Sequence, residues 1–242
     1  MLNLNISYDI EKDTENCLKI FYGKYPERRL KQEKSNLAMY SYLSYSQAEK
    51  IKKAQNEQET RSVILEILQK WYDENKLLIK LNSDALNKIW ESKKEDYAKG
   101  IKKIYNKTLD WPEVSVYLST FKRWPYNFSE RWFIVGIRSG LEDQIGTICH
   151  ELFHFVFYEY YANYCKDKVN DKQFDAIKEA LVYLLNAEPF SKVISMPEFG
   201  HATQRELMKF IWKEYSKNPD NFNFQDLLDK AIEQVRLDKN LS

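Results

Sequence analysis

The sequence predicts an α+β chain that is mostly helical, and three features carry that expectation. Two long stretches, 46–73 and 83–106, repeat apolar residues at the helical period. Three short ones, 2–9, 114–118 and 131–137, are rich in alternating, β-branched or aromatic residues and read as strands. Glycine and proline number only six each in 242 residues, too few for the many turns of an all-β fold.

In chain order, Leu2, Leu4, Ile6 and Tyr8 alternate with Asn3, Asn5, Ser7 and Asp9, the period of a half-buried strand. Residues 13–22 form a short helix with Cys17, Leu18 and Phe21 inward. Residues 23–35 are basic and irregular, and the charges from Lys24 to Lys34 read as solvated surface. From Ser46 to Asp73, Ile51, Val63, Ile64, Ile67 and Trp71 anchor a helical pattern whose polar middle, Lys52 to Thr60, is a point for a break. A second long helix covers Ser83 to Asn106, with Leu86, Ile89, Trp90, Tyr97, Ile101 and Ile104 as its stripe.

The period then changes. Residues 114–118 and 131–137 are strands, and between them Phe121 to Asn127 contains Pro125, which confines it to a sheet edge or a loop. Ser139-Gly140-Leu141-Glu142 reads as a capping box opening the next helix. Ile145, Ile148, Leu152, Phe155 and Val156 recur along it, and Phe153, Phe157, Tyr160 and Tyr161 cover most of its other sides. Another helix follows, capped by Asn170 or Asp171, with Phe174, Ile177, Leu181 and Leu184 as its stripe. Residues 186–200 are a loop, a helix runs from about Thr203 to Tyr215, and a turn and helix close at 220–235 with Phe224, Leu227, Leu228 and Ile232 inward. The composition, 43% apolar and 30% charged, supports one large domain or two lobes. A mainly helical region, 1–109, precedes a second region, 110–242, and the sequence leaves open whether the first is a separate domain or part of the same one.

Bulk properties exclude some functions. A net charge of +1 predicts no strong attraction to nucleic acid or to an anionic membrane. No run is long and apolar enough to span a bilayer. The segment Met1 to Asn5 lacks the charged and apolar regions of a secretory signal. Cys17, Cys149 and Cys165 are odd in number, show no ligand spacing, and read as buried thiols. The expectation is a protein of the reducing cytoplasm.

The chemistry concentrates in Gly146-Thr147-Ile148-Cys149-His150-Glu151-Leu152-Phe153-His154-Phe155, which contains His-Glu-x-x-His. Only three histidines occur in the chain and two fall here, so coincidence is a poor explanation. On a helix, His150 and His154 leave the same face one turn apart, a spacing at which two imidazoles share a zinc ion. Glu151 lies about 100° round from His150, placed to act on a water without itself binding metal. A mostly buried helix carrying three such groups needs partners for them, and a metal supplies partners.

Catalytic zinc usually takes three protein ligands. The best third candidate is Glu179, in Ile177-Lys178-Glu179-Ala180-Leu181, where Ala176 and Ala180 allow close approach to a neighbouring helix. His201 is the rival for that place.

With His150-Glu151-x-x-His154 followed by Glu179-Ala180-Leu181, the chain resembles the zincin metallopeptidases. The likeness is to the glutamate-type branch that includes thermolysin-like and aminopeptidase-like enzymes, and it covers roughly 114–186. It implies a zincin-like lobe: a backing helix and a small twisted sheet supporting the active-site helix. It further implies Zn2+ held by His150, His154 and Glu179, with Glu151 as the base. In thermolysin-like enzymes a histidine from the lower lobe stabilises the oxyanion, and His201 is similar in chain order. Tyr183, one turn beyond Glu179, is the other candidate for that role. An exposed edge strand in such enzymes holds an extended peptide; residues 124–128 match it by position, with Lys122, Arg123 and Arg131 nearby.

The expectation is therefore a zinc-dependent hydrolase, a peptidase acting on a peptide or protein substrate. Two other readings stay open: a non-catalytic binding module on a zincin-like fold, and a regulatory intracellular peptidase with one protein target.

Overall fold

The computed structural model describes residues 2–22, 43–109, 111, 113–121, 125–195, 197–200 and 202–238. The basic run from Lys24 to Lys34, together with Lys122, Arg123, Trp124 and His201, lies outside them. The chain is α+β and mostly helical, with one small mixed sheet. It forms two compact units: one comprises 1–2, 90–112 and 145–242, the other 3–89 and 113–144. Residues 1–109 are thus shared between the units.

The unit built on 3–89 and 113–144 holds the sheet. Strands β1 (Leu4–Tyr8), β2 (Val114–Ser119), β3 (Tyr126–Asn127) and β4 (Trp132–Gly136) lie in the order β1-β2-β4-β3. The first three in that order are parallel, and β3 runs antiparallel along β4 at the edge. Ile6, Val116, Phe133 and Tyr126 stand in register across all four. Every residue of β4 is buried, so both faces of this strand are covered. Helix α1 (Ile10–Tyr22) and helix α2 (Tyr45–Lys53) contribute Cys17, Leu18, Ala48 and Ile51 to a core shared with Ile64, Ile67, Leu68 and Phe121. Ser44 and Gln47 cap α2 reciprocally.

The first expected break falls at 54–56, and the second, between Asp73 and Ser83, is a kink at Asn75 and not a gap. Helix α3 spans Glu57–Tyr105 as two helical segments that meet at this kink, where Asn75 has φ −120° and ψ 15°. The Asn75 amide donates to the Trp71 carbonyl at 2.8 Å, so a side chain covers the interrupted ladder. The helix resumes directly after the kink, with Leu77, Leu78 and Leu81 exposed. Pairs such as Lys76–Asp73 at 2.8 Å and Lys80–Asp84 at 2.6 Å support it locally instead.

The unit built on 90–112 and 145–242 is helical. Helix α4 (Leu141–Tyr160) opens one residue later than the capping-box reading places it. Gly140 occupies the cap position, its carbonyl accepting from Gln144 at 2.9 Å, so Ser139 cannot serve as the cap. From Ile145 to Phe157 the apolar residues of α4 are 0–3% exposed, which makes it a helix buried all round; Tyr160, at 37%, is exposed. Short α5 (Ala162–Lys166) leads to α6 (Asp171–Leu181), where Asn170 and Gln173 form the cap. Two 3-10 turns, Val182–Asn186 and Glu188–Phe190, occupy ground expected as helix and loop. Helices α7 (Arg205–Ser216) and α8 (Phe224–Leu237) complete the unit.

Gly100 of α3 faces Phe190 so closely that a Cβ would stand 2.5 Å from its ring, a place only glycine fits. Cys17, Cys149 and Cys165 are free and buried. Among the described residues, no helix is long and apolar enough to cross a membrane.

Candidate metal centre

Helix α4 presents His150, Glu151 and His154, α6 presents Lys178 and Glu179, and the segment after the second 3-10 turn brings Glu198. The two imidazoles stack edge to face with centroids 4.6 Å apart. Their Nε2 atoms converge on one carboxylate oxygen: Glu179 Oε2 lies 3.7 Å from His150 and 3.4 Å from His154. One ligand atom from each of the three residues falls within 4.8 Å of the others. Tetrahedral zinc, with bonds of about 2.0–2.2 Å, separates its donors by about 3.3–3.6 Å. The spacing to Glu179 is thus close to what the ion requires, and two imidazole nitrogens with one carboxylate oxygen are a donor set zinc accepts.

The surroundings fix these groups. His150 Nδ1 lies 3.2 Å from Glu198 Oε2, so Glu198 holds the Nδ1 proton and the Nε2 proton is the one a metal would displace. Glu198 is itself clamped. Its N–H donates to Asn186 Oδ1 at 2.8 Å, its carbonyl accepts from Asn186 Nδ2 at 2.8 Å, and Oε1 accepts from the Gly200 N–H at 2.9 Å. Lys178 is buried, 6% exposed, and its Nζ pairs with Glu179 Oε1 at 2.7 Å. That contact turns the other oxygen, Oε2, toward the histidines. Behind α4, the buried hydroxyl of Tyr97 donates to the Cys149 carbonyl at 2.9 Å and that of Tyr105 to the Phe153 carbonyl at 3.3 Å. Each braces the residue just before a histidine.

The electrostatics follow from burial and these pairs. Burial opposes a charge on His150, yet the Glu179 and Glu198 carboxylates raise its pKa to about 10. Burial pushes His154 down to about 3, which keeps it neutral. Burial also works against the Glu179 carboxylate, but both histidines and Lys178 hold its pKa well below the usual range. Glu151 is different: burial pushes it up to about 7. Glu151 is only 6% exposed, and its Oε2 has no hydrogen-bond partner among the described residues. A buried carboxyl oxygen left uncommitted beside three convergent donors is what a water-activating base requires.

Of the residues singled out in the sequence, the structure brings His150, Glu151, His154 and Glu179 to one place. Tyr183 sits in the 3-10 turn after α6, its ring edge-on to Trp212, lining a cavity with Phe199, Gly200, Arg205, Met208 and Lys209. Glu198 and Lys178 belong to the centre and were not anticipated. Nothing periodic marks Glu198, and Lys178 reads as a surface lysine. The chain matches no family model, no curated protein and no solved structure.

Proposed function

We propose that the protein is a zinc-dependent hydrolase, most naturally a peptidase, built on a zincin-like lobe. The observation that carries this reading is the convergence of His150 Nε2 and His154 Nε2 on Glu179 Oε2, with the uncommitted Oε2 of Glu151 on the turn between the histidines. His150, His154 and Glu179 would hold the ion. Zinc there would supply a Lewis acid for a carbonyl oxygen and bring a water's pKa to about 7. Glu151 takes the proton from the attacking water on its free oxygen and delivers it to the leaving amine. Its raised pKa suits both halves of that duty. Glu198 keeps the His150 ring turned with Nε2 forward, and Lys178 does the same for Glu179.

Elemental analysis tests the proposal together with hydrolysis. One equivalent of zinc is expected in the wild-type protein and far less in His154→Ala. Glu151→Gln is expected to keep the zinc and lose peptide hydrolysis by about 100- to 10,000-fold. A wild-type protein that takes up no stoichiometric zinc would overturn it.

A further inference from the structure

The cavity beside Tyr183 holds about 340 Å³, within the roughly 300–1,000 Å³ of small-molecule sites. Two features tie it to the metal centre. Tyr183 stands about one turn beyond Glu179, and the backbone between them stays helical, with Val182 at φ −59° and ψ −23°. Phe199 and Gly200 directly follow Glu198, whose carboxylate lies 3.2 Å from His150. Gly200 belongs to both features. Its N–H donates to Glu198, it sits at φ 58°, and a Cβ there would meet Met208 at 2.6 Å. The wall of the cavity and the support of His150 are one piece of backbone.

The lining divides by chemistry. Tyr183, Phe199 and Met208 are apolar; Met208 is buried, and Phe199 is 75% exposed, an aromatic ring left in water. Arg205 and Lys209 are cationic, and among the described residues no carboxylate lines the cavity. Lys209 is paired with Glu206 at 2.7 Å, whereas Arg205 pairs with no carboxylate among the described residues. A guanidinium fork beside an apolar floor recognises a carboxylate next to an apolar side chain.

We propose that this cavity is the specificity pocket of the centre, accepting an apolar or aromatic substrate residue bordered by a carboxylate, from either an acidic side chain or a chain terminus. The assignment of its role rests on the peptidase reading above. Four fluorescein-labelled peptides test it against the full-length Glu151→Gln protein, with zinc measured in the same samples. They end in Gly-Phe-Asp-amide, Gly-Phe-Lys-amide, Gly-Gly-Asp-amide and Gly-Phe with a free carboxylate. The Phe-Asp peptide is expected to bind roughly five- to tenfold tighter than the Phe-Lys and Gly-Asp peptides. The free-carboxylate peptide reports which source of carboxylate is preferred. Arg205→Glu, a surface change, should invert the preference between Asp and Lys with zinc content unchanged. Equal affinities across the set, or a preference untouched by Arg205→Glu, would overturn the pocket. Selective binding without zinc would leave the pocket standing and remove the hydrolase; zinc without selectivity would do the reverse.

Discussion

Asp13 and Glu151 are both buried carboxyl groups, 1% and 6% exposed, one in each unit, and burial raises the pKa of both, Asp13 to about 6 and Glu151 to about 7. Their surroundings differ. Asp13 accepts from the Tyr8 hydroxyl at 3.1 Å, the Thr120 hydroxyl at 2.8 Å, the Thr120 N–H at 3.1 Å and the Ser119 hydroxyl. Ser119 in turn accepts from Asn16 and from the Phe121 N–H, each at 3.0 Å. The network ties α1 to the end of β2, and both Asp13 oxygens are used. Glu151 keeps one oxygen without a partner among the described residues. A closed network serves the fold; an uncommitted buried oxygen costs stability and makes sense where a reacting group is to be received.

Truncating each carboxylate is the strongest way to break this comparison. Asp13→Ala strands buried donors on Tyr8, Ser119 and Thr120, and should lower unfolding stability by about 3–4 kcal/mol in urea titrations. Glu151→Leu removes an unsatisfied group and fills its space, so its urea midpoint should equal or exceed that of the wild type. A Glu151→Leu loss as large as that of Asp13→Ala would mean that Glu151 is structural.

The pH dependence is the next largest effect. The folded pKa of Asp13, about 6, lies above its ordinary 3.8. The folded protein therefore favours the protonated form. The resulting stabilisation is fully present below about pH 3.8 and is lost as pH rises through about 6. The shift bounds the effect at about 3 kcal/mol. Urea titrations of wild type and Asp13→Ala from pH 4 to 6.5 isolate it, because the difference in stability between them should shrink with rising pH. A gap that is constant across that window would show that the four donors fully offset the cost of burial.

The two units were also unequally legible in the sequence. Helix α4 could be read because His-Glu-x-x-His is a local spacing and its apolar residues fall on every side. Glu179 could be read because Phe174, Ile177 and Leu181 fix the face of α6 and leave the carboxylate beside two alanines. Glu198 could not, since it reaches His150 only through the Asn186 clamp and the turn at Gly200, contacts that no period encodes. Lys178 misleads for a related reason. It neighbours Glu179 on the helix, and burial of its stem with its charge on that carboxylate depends on tertiary packing. The segment just past the Asn75 kink of α3 was hard to read because Leu77, Leu78, Ile79 and Leu81 fall on several sides of the helix and leave no single stripe. Ser139 offered a plausible cap, but the chain enters α4 one residue later.

The smallest expected effect bears on how the centre is held. Tyr97 donates its buried hydroxyl to the Cys149 carbonyl at 2.9 Å, immediately before His150. Tyr97→Phe keeps the ring and its packing against Trp90 and Phe190 and removes only that bond. The carbonyl retains its place in the α4 ladder, so the loss should be about 1 kcal/mol in urea. If the hydroxyl also fixes the pitch of α4 at the histidine, zinc affinity measured by chelator competition should fall several-fold, by the same logic as for groups that orient a metal ligand. Tyr105→Phe, whose bond to Phe153 is longer at 3.3 Å, should do less on both counts. Equal stability losses with zinc affinity untouched in either variant would assign both tyrosines to packing of the unit and leave Glu198 as the group that orients His150.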